Sequence, residues 1–581
     1  MNLKILLEEN IIAAIKTVHG IELEKVEVFH PENLTHGDYS TNIALILSKK
    51  LEQSPLEIAR NLCYELQSRE LSKTTDDSEI QIFQNIEFAK PGFINFVLSN
   101  EWLKHLLTYD KEITRYYREN SFSKNVLIEY SQPNPNKPMH IGHARNNFLG
   151  SSLVNIFKHM GYKALGVNYM NDWGTHICKS MLMYKKFHEG EEPTKKPDHY
   201  VGDLYISYER EEAKNPEVKE EVTEMFRKLE NGDKETLVLW KKVTGWAYKG
   251  WEKTYKDQNV EFETWFYQSN YKDSGKDVIN KAIEAGIAEK DETGAVIARL
   301  EKYGIPDKVL LRADGTSVYA TQDIQLAKDG YDKYKFEQRL YVVDYRQGDY
   351  FSQIFKVAEI LGYAWADKLH HVSYGTVELP EGKMSSRKGL VINADDVYEK
   401  LVEIEKEEIQ KSLKRVTNAE DTARKVALGA FRYGLLKFDP KQNVVFRYDD
   451  VSKFEGNTGP YIMYTYARAI SVLEKAGYID NAKETYDLGS IVLKDKELEI
   501  LRYIYRFTEV VEESAQRFSP NLICNFVFEL AQKFNSFYAD VPILNSSEEE
   551  ERPFRLHLTC VTAQVIRTAL DLLGIKIVER M

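Results

Sequence analysis

Two histidines three residues apart, His140 and His143, flank Ile141 and Gly142 where a short apolar run gives way to a helical period. Side chains at i and i+3 share a helix face, so both rings can point toward one bound group. A helix start also gathers unpaired backbone N–H groups and the positive end of the macrodipole, which suits a phosphate. Gly142 lets a ligand approach the backbone closely. Donors so placed can stabilise charge that builds on a phosphate in a transition state. The pattern alone leaves two bland readings open: capping or surface histidines, and metal ligands, the latter without a cysteine or third histidine nearby.

A second dense stretch is Pro380-Glu381-Gly382-Lys383-Met384-Ser385-Ser386-Arg387-Lys388-Gly389, a Gly-bounded loop with three cations and two hydroxyls. Such a loop can hold a triphosphate and offset charge on leaving pyrophosphate. By itself it reads as well as a solvated basic loop. Two carboxylates are placed to meet a cation: Glu129 at the end of the apolar run, and Asp323 one helical turn after Tyr319 in SVYATQDIQLA. Asn134 and Gln347 add amides, while both acids could equally be surface residues. A planar guanidinium is best met by such carboxylates.

These side chains need a scaffold. Val126 to Ile128 fits a buried parallel strand that stops at Glu129, before a loop with Pro133, Pro135 and Pro138. The apolar period Phe148, Leu149, Leu153, Ile156, Phe157, Met160 then predicts a helix from about His143 to Gly161. KALGVNYM predicts a second strand and a helix near Asn171 to Gly174, with Asp172 as its cap or as a pocket residue. Arg339–Asp344 and His370–Gly375 read as further buried strands around a helix from Tyr350 to Leu361. The fold class is therefore α/β, a doubly wound parallel (Rossmann-like) sheet. A charged helical and β insertion spans about 185–310; its Trp240, Trp246 and Trp251 read as the apolar face of amphipathic helices. Asp314-Gly315 predicts a hairpin turn. Residues 1–115 form an α+β unit, with a helix from Leu3 to Val18, an acidic loop near Lys73 to Glu79 and a helix from Thr41 to Leu51. The sheet unit covers 120–395. From about Ala394 the strands end, and 396–581 is an all-α helical bundle.

The chain has 581 residues, 43% hydrophobic and 12% aromatic, enough for several full cores. No apolar run reaches the ~20 residues of a membrane span. The N-terminus lacks the basic-then-apolar pattern of a secretory signal, so the cytoplasm is expected. Cys63, Cys178, Cys524 and Cys560 lie far apart with no CxxC pair, which argues against a zinc ribbon or disulfide framework and predicts buried free thiols. The net charge of -12 argues against a nucleic-acid binder. A local excess opposes it, since Arg552–Met581 holds five Lys or Arg against two acids.

HIGH after a strand, with KMSSRKG about 240 residues later, resembles the paired signatures of class I aminoacyl-tRNA synthetases. SQPNPNKPMHIGHARNNFLG is similar to the arginyl-tRNA synthetase version. HGDYSTNIA and KPGFINF resemble that family's N-terminal domain, which contacts the tRNA elbow. RLHLTCVTAQVIRTALDLLGIKIVERM resembles its closing anticodon-binding segment, so the likeness covers nearly the whole chain. It implies ATP-dependent ligation of L-arginine to tRNA(Arg) through an arginyl-adenylate, with activation that needs tRNA. His140, His143, Lys137, Lys383 and Lys388 would be catalytic, and Gly142, Gly375, Met384, Ser385, Ser386 and Arg387 would bind ATP. Asp323 and Tyr319 would hold the guanidinium, with Glu129, Asn134 and Gln347 around the rest of the amino acid. Tyr461, Tyr464, Arg468, Arg567 and Met581 would bind tRNA; as residue types, the tyrosines of GNTGPYIMYTYARAISVL can stack on bases or simply pack in a bundle. One departure is Ser386, where the class signature carries a second lysine. Its role passes to Arg387, Lys388 or Lys137.

ATP would bring Mg2+. No structural metal, no DNA and no membrane are expected, and the chain is expected to be a monomer. Three alternatives remain at this point: a class I synthetase for another amino acid, a non-catalytic tRNA-binding scaffold, and a small-molecule nucleotidylyltransferase. The paired acids, the intact signature loops and the two flanking domains argue against them in turn.

Overall fold

The computed structural model describes residues 2–69, 71–74, 79–108, 123–272, 274–313, 318–378, 380, 392–411, 418–478, 491–545 and 551–581. Its centre is a five-stranded parallel sheet formed by β1 (Asn125–Glu129), β2 (Lys163–Met170), β3 (Thr264–Tyr267), β4 (Gln338–Asp344) and β5 (Leu369–Tyr374), in the order β5-β4-β1-β2-β3. The chain builds outward from β1 to β3, then crosses to the other side of β1. That reversal opens a crevice beyond the carboxyl ends of β1 and β4, where ligands of doubly wound sheets bind. Val126, Leu127 and Ile128 are fully buried, as a strand covered on both faces requires.

Helix α1 (Ile141–His159) follows β1. It starts two residues before the expected position, with His140 as its cap. A Cβ at Gly150 would lie 2.1 Å from Cγ of Tyr130, so glycine is what lets this helix settle on the loop after β1. Between β2 and β3 come four helices, Thr175–Phe187, α2 (Pro197–Lys214), Val218–Glu230 and α3 (Lys234–Asp257), with a separate core that includes Trp173, Met181, Tyr208 and Trp246. Trp240 packs edge-on against Trp173 at 5.6 Å, so the tryptophans do form the apolar faces of these helices. Asp172 does not cap the helix at Thr175. Its carboxylate accepts from the amide and hydroxyl of Ser269, both at 2.9 Å, and the cap position is Gly174.

A small antiparallel sheet, Ala288–Lys290 with Val296–Ala298 and Lys308–Leu311, follows β3. Its described turn is at Asp291, whose carboxylate accepts from the amides of Thr293 and Ala295; Asp314 and Gly315 lie outside the described residues. The chain then returns through α4 (Tyr319–Tyr334), β4, α5 (Gly348–Ile360) and β5.

The last third packs α6 (Ala394–Lys411), α7 (Ala419–Leu436), α8 (Gly459–Ala476), α9 (Asn521–Asp540) and further helices into a bundle. It is not wholly helical. Val444–Val445 pairs in parallel with Val377–Glu378, because the β-branched pair meets the extended chain leaving β5. In the N-terminal unit Ser40 and Thr41 belong to a strand, Tyr39–Thr41, so the helix begins at Ile43. Ser72–Thr74 and Glu79–Gln81 pair as antiparallel strands at the two ends of the expected acidic loop, whose residues 75–78 lie outside the described residues. This unit docks on the bundle through His30, which bridges the Asp38 carbonyl and Glu509, and through Tyr39, whose hydroxyl donates to Glu509 at 2.6 Å. All four cysteines are buried, and none is joined in a disulfide. Among the described residues no helix is long and apolar enough to cross a membrane.

Candidate active site

The loop from β1 to α1 carries unusual backbone. Ser131 and Gln132 both adopt positive φ, 76° and 48°, a conformation that costs about 1–3 kcal/mol at each such residue and persists only when surroundings enforce it. Here two asparagines do so. Asn146 Oδ1 accepts the Ser131 amide at 2.5 Å, and Asn168 Oδ1 accepts the Gln132 amide at 3.1 Å. Asn146 also donates to the Val342 carbonyl and the Tyr374 hydroxyl, so one side chain gathers the tips of β1, β4 and β5. Its neighbours serve other seams. Arg145 donates to the carbonyls of Gly375 and Gln442, both at 2.8 Å, and Asn147 donates to Gln258 at 2.8 Å.

At the start of α1, His140 Nδ1 accepts the amide of Gly142 and His143 Nδ1 accepts the amide of His140, each at 3.1 Å. A nitrogen that accepts carries no proton, so both rings are fixed as Nε2–H tautomers. A Cβ on Gly142 would lie 2.9 Å from the His140 ring, so glycine is needed beneath it. Burial, with Lys137 and Arg346 nearby, pushes the His140 pKa down to about 4. Burial, with His140 and Lys137, also holds His143 well below the usual imidazole range. The site therefore offers two neutral donors whose ring centres are 3.9 Å apart. Burial also lowers the pKa of Lys137, three residues before.

The chain just beyond the second signature meets the first through the backbone. His140 pairs with Asn393 in an isolated bridge, Ile141 N donates to Ile392 O at 3.2 Å, and Ala394 N donates to Met139 O at 2.8 Å. Lys383, Met384, Ser385, Ser386, Arg387 and Lys388 lie outside the described residues. Next to this bridge, Asp395 is held by Lys196 at 2.6 Å, His199 at 2.8 Å and Thr254 at 3.0 Å, which ties the foot of α6 to the helical insertion. Asp198, His199 and Asp395 are close enough to share an ion, yet the Lys196 ammonium lies among them.

Asp323, on α4, has its carboxylate capped by the Tyr350 hydroxyl. Burial raises its pKa to about 7, the Glu129 charge adds to this, and Tyr350, Arg339 and Lys308 oppose it. Glu129 is buried and already balanced: Oε2 meets Arg339 at 2.5 Å and Oε1 accepts from Gln132 at 2.9 Å. Asn134 Oδ1 accepts from Asn171 at 2.6 Å, Tyr319 is exposed one turn before Asp323, and Gln347 is exposed in the turn after β4. Gly375 packs against the Gln442 backbone, where a Cβ would lie 2.5 Å from the carbonyl oxygen.

The region around this crevice, residues 103–448, matches the family model described as tRNA synthetases class I (R), catalytic domain. This chain belongs to the arginyl-tRNA synthetase family. Its residues 6–98 match the arginyl-tRNA synthetase N-terminal domain, and 462–581 match the DALR anticodon-binding domain. An arginine–tRNA ligase of Treponema denticola is 37% identical over 578 residues, covering 97% of this chain and 96% of that one. One from Bacteroides thetaiotaomicron is 39% identical over 84% of this chain and 86% of its own. The arginyl-tRNA synthetase of Thermus thermophilus superposes with a TM-score of 0.83 at 25% identity and full coverage of both chains. That of Plasmodium falciparum, at 20% identity and a TM-score of 0.82 over 100% and 99% of the two chains, agrees in fold.

In this synthetase the candidate tRNA residues divide. Arg468 lies between the rings of Tyr464 and Tyr538, 4.9 and 5.1 Å from their centres, and donates to Asn535, which in turn donates to the Tyr461 hydroxyl. Tyr466 is buried in the bundle. Arg567 is exposed beside Asp571, and Met581 packs partly against the core. Sequence reasoning missed Asn146, Asn168, Tyr350 and Arg339. Their signal was weak, since each is an ordinary polar residue in an apolar segment.

Proposed function

We propose that this chain ligates L-arginine to tRNA(Arg) with ATP, in the cytoplasm and as a monomer, with residues 1–115, 120–395 and 396–581 as its tRNA-elbow, catalytic and anticodon domains. The arginine carboxylate attacks the α-phosphorus of ATP, pyrophosphate leaves, and a terminal ribose hydroxyl of the tRNA then attacks the adenylate carbonyl and releases AMP. The observation that carries this reading is the histidine pair, whose Nδ1 atoms are used as caps and whose Nε2–H groups remain to donate. Neutral, tautomer-fixed donors suit charge growing on the α-phosphate, since they need no proton transfer or reorganisation.

Lys137, Lys383 and Lys388 neutralise the β and γ phosphates, and Mg2+ arrives with ATP. Gly142, Gly375, Met384, Ser385, Ser386 and Arg387 border the nucleotide. Asp323 and Tyr319 face the guanidinium. Glu129, balanced by Arg339, lines the pocket through its remaining lone pairs, with Asn134 and Gln347 toward the other end of the amino acid. Tyr461, Tyr464, Arg468, Arg567 and Met581 contact the tRNA. Pyrophosphate exchange into ATP, measured with each amino acid with and without tRNA, tests the whole reading. Exchange with arginine that depends on tRNA is expected. Exchange with another amino acid would discard the pocket, and none at all from folded protein would discard the enzyme.

A further inference from the structure

Two acids reach the end of the proposed arginine pocket, but only one has charge to spare. Both oxygens of Glu129 are engaged inside the protein, by Arg339 and Gln132, and Arg339 is itself fully buried over the ring of Tyr341 at 5.0 Å. Asp323 has no such cation at contact among the described residues. The groups that face it among the described residues are the hydroxyl of Tyr350, the charges of Glu129, Arg339 and Lys308, and the phenol of Tyr169. Lys308 lies 4.4 Å above the Tyr350 ring, on the insertion sheet.

Tyr169 is the odd member. It stands near the carboxyl end of β2, senses the charges of Asp323 and Glu129, and has a buried hydroxyl without a hydrogen-bond partner among the described residues. A buried phenol left unpaired is costly and calls for a reason. A guanidinium supplies one, because it presents five N–H donors in a plane and a single carboxylate cannot accept them all.

We propose that Tyr350 and Tyr169 determine specificity in the arginine pocket: Tyr350 donates to Asp323 and keeps that carboxylate an acceptor, while Tyr169 offers its phenolic oxygen to the guanidinium plane. This rests on the reading that Asp323 faces the guanidinium. The pocket is then one carboxylate fringed by phenol oxygens and not a pair of acids. Citrulline, the neutral isostere, places an oxygen where arginine has an N–H. It would meet the Asp323 acceptor without a donor and so be rejected. Lysine has a tetrahedral ammonium with three donors and cannot reach the whole fringe.

The test is pyrophosphate exchange with tRNA present, using arginine, citrulline and lysine, on Tyr350→Phe, Tyr169→Phe and Asp323→Asn. Each phenylalanine variant is expected to raise the KM for arginine about tenfold, as for one lost hydrogen bond to a charged group, with a smaller change in kcat and in the KM for ATP. Tyr350→Phe is expected also to narrow the preference for arginine over citrulline and to move the onset of acid weakening to higher pH. Tyr169→Phe should melt at a higher temperature than the parent, because it removes an unpaired buried hydroxyl, while binding arginine less well. That combination separates a functional group from a structural one, and it carries the test if Tyr350→Phe does not fold. An unaltered arginine KM and unaltered discrimination in the phenylalanine variants, with Asp323→Asn inactive, would overturn the proposal and leave the pocket standing. A normal arginine KM in Asp323→Asn would overturn both.

Discussion

The Nδ1 atom of His143 lies 3.1 Å from the backbone nitrogen of His140, inside the cap that starts the signature helix. The two readings that the residue pattern left open, cap and phosphate donor, thus use different nitrogens of the same ring. Binding the cap fixes the tautomer, and the tautomer aims a proton outward.

These roles can be separated by mutation. His143→Asn keeps an acceptor near the position of Nδ1 but removes the Nε2–H group. It should fold with nearly the parent melting temperature while adenylation falls about 10²–10³-fold. His143→Ala should lose the same activity and, in addition, about 1 kcal/mol of stability with the cap. Exchange kinetics and thermal melts of both variants decide this, and an undiminished rate in either removes the donor role.

Arginine binding should depend on pH through Asp323. Its folded pKa is raised from 3.8 to about 7 in the empty pocket, chiefly by burial. A bound guanidinium favours the ionised form, so below pH 7 binding must first expel a proton. The KM for arginine is expected to rise about tenfold per pH unit as pH falls below 7 and to be flat above it. Because the raised pKa makes the folded state hold its proton longer, the empty protein also loses stability as pH rises from about 4 to 7. A KM profile that stays flat from pH 5.5 to 7 would exclude Asp323 from the pocket.

Much of this was legible because strand and helix periods are strong signals, and the strands flanking the two signatures fell within a residue or two of their expected ends. What the sequence hid were contacts between distant segments. Nothing local in HARNN says that Arg145, Asn146 and Asn147 each meet a different distant segment: Gly375 and Gln442, the strand tips, and Gln258 at the end of the helical insertion. Asp172 has good capping chemistry, yet Ser269, 97 residues on, claims its carboxylate. Glu129 was legible as an acid at a strand end, but its neutralisation by Arg339 required knowing that β4 lies beside β1. Val444–Val445 was too short to read as a strand before a partner was known.

Glu405 should control the stability of the bundle at alkaline pH. It is fully buried on α6, neither oxygen has a hydrogen-bond partner among the described residues, and burial raises its pKa to about 8. The unfolded chain ionises near pH 4.5 and the folded one near 8, so stability falls across that window as pH rises. Glu405→Gln cannot ionise. It should match the parent near pH 5 and exceed it at pH 8 by about 2–4 kcal/mol, measured by urea unfolding. Parallel pH profiles for the two proteins would refute the assignment.

Arg432 offers a test of how the helical bundle supports the catalytic helix. Its buried guanidinium donates to Leu573 O and Gln258 O, each at 2.8 Å, and to Ser151 Oγ on α1 at 2.7 Å, while stacking on Phe148 at 4.6 Å. No acid pairs with it among the described residues, and burial pulls its pKa down to about 9. On the same helix, α7, the carbonyl of Gly429 sits where a Cβ on Gly459 would be only 2.4 Å away, so α8, which bears Tyr461, Tyr464 and Arg468, starts in close contact with α7. A lysine at 432 keeps the charge, but its single nitrogen cannot reach three acceptors that the guanidinium meets from three separate nitrogens. Arg432→Lys should therefore cost about 2–4 kcal/mol of stability and loosen α1 from α7. If α7 links tRNA docking on α8 to the histidine pair on α1, the tRNA-stimulated exchange rate should fall further than tRNA affinity does. Filter binding beside exchange at saturating tRNA measures both, and equal losses would leave Arg432 a stabilising residue without a part in that linkage.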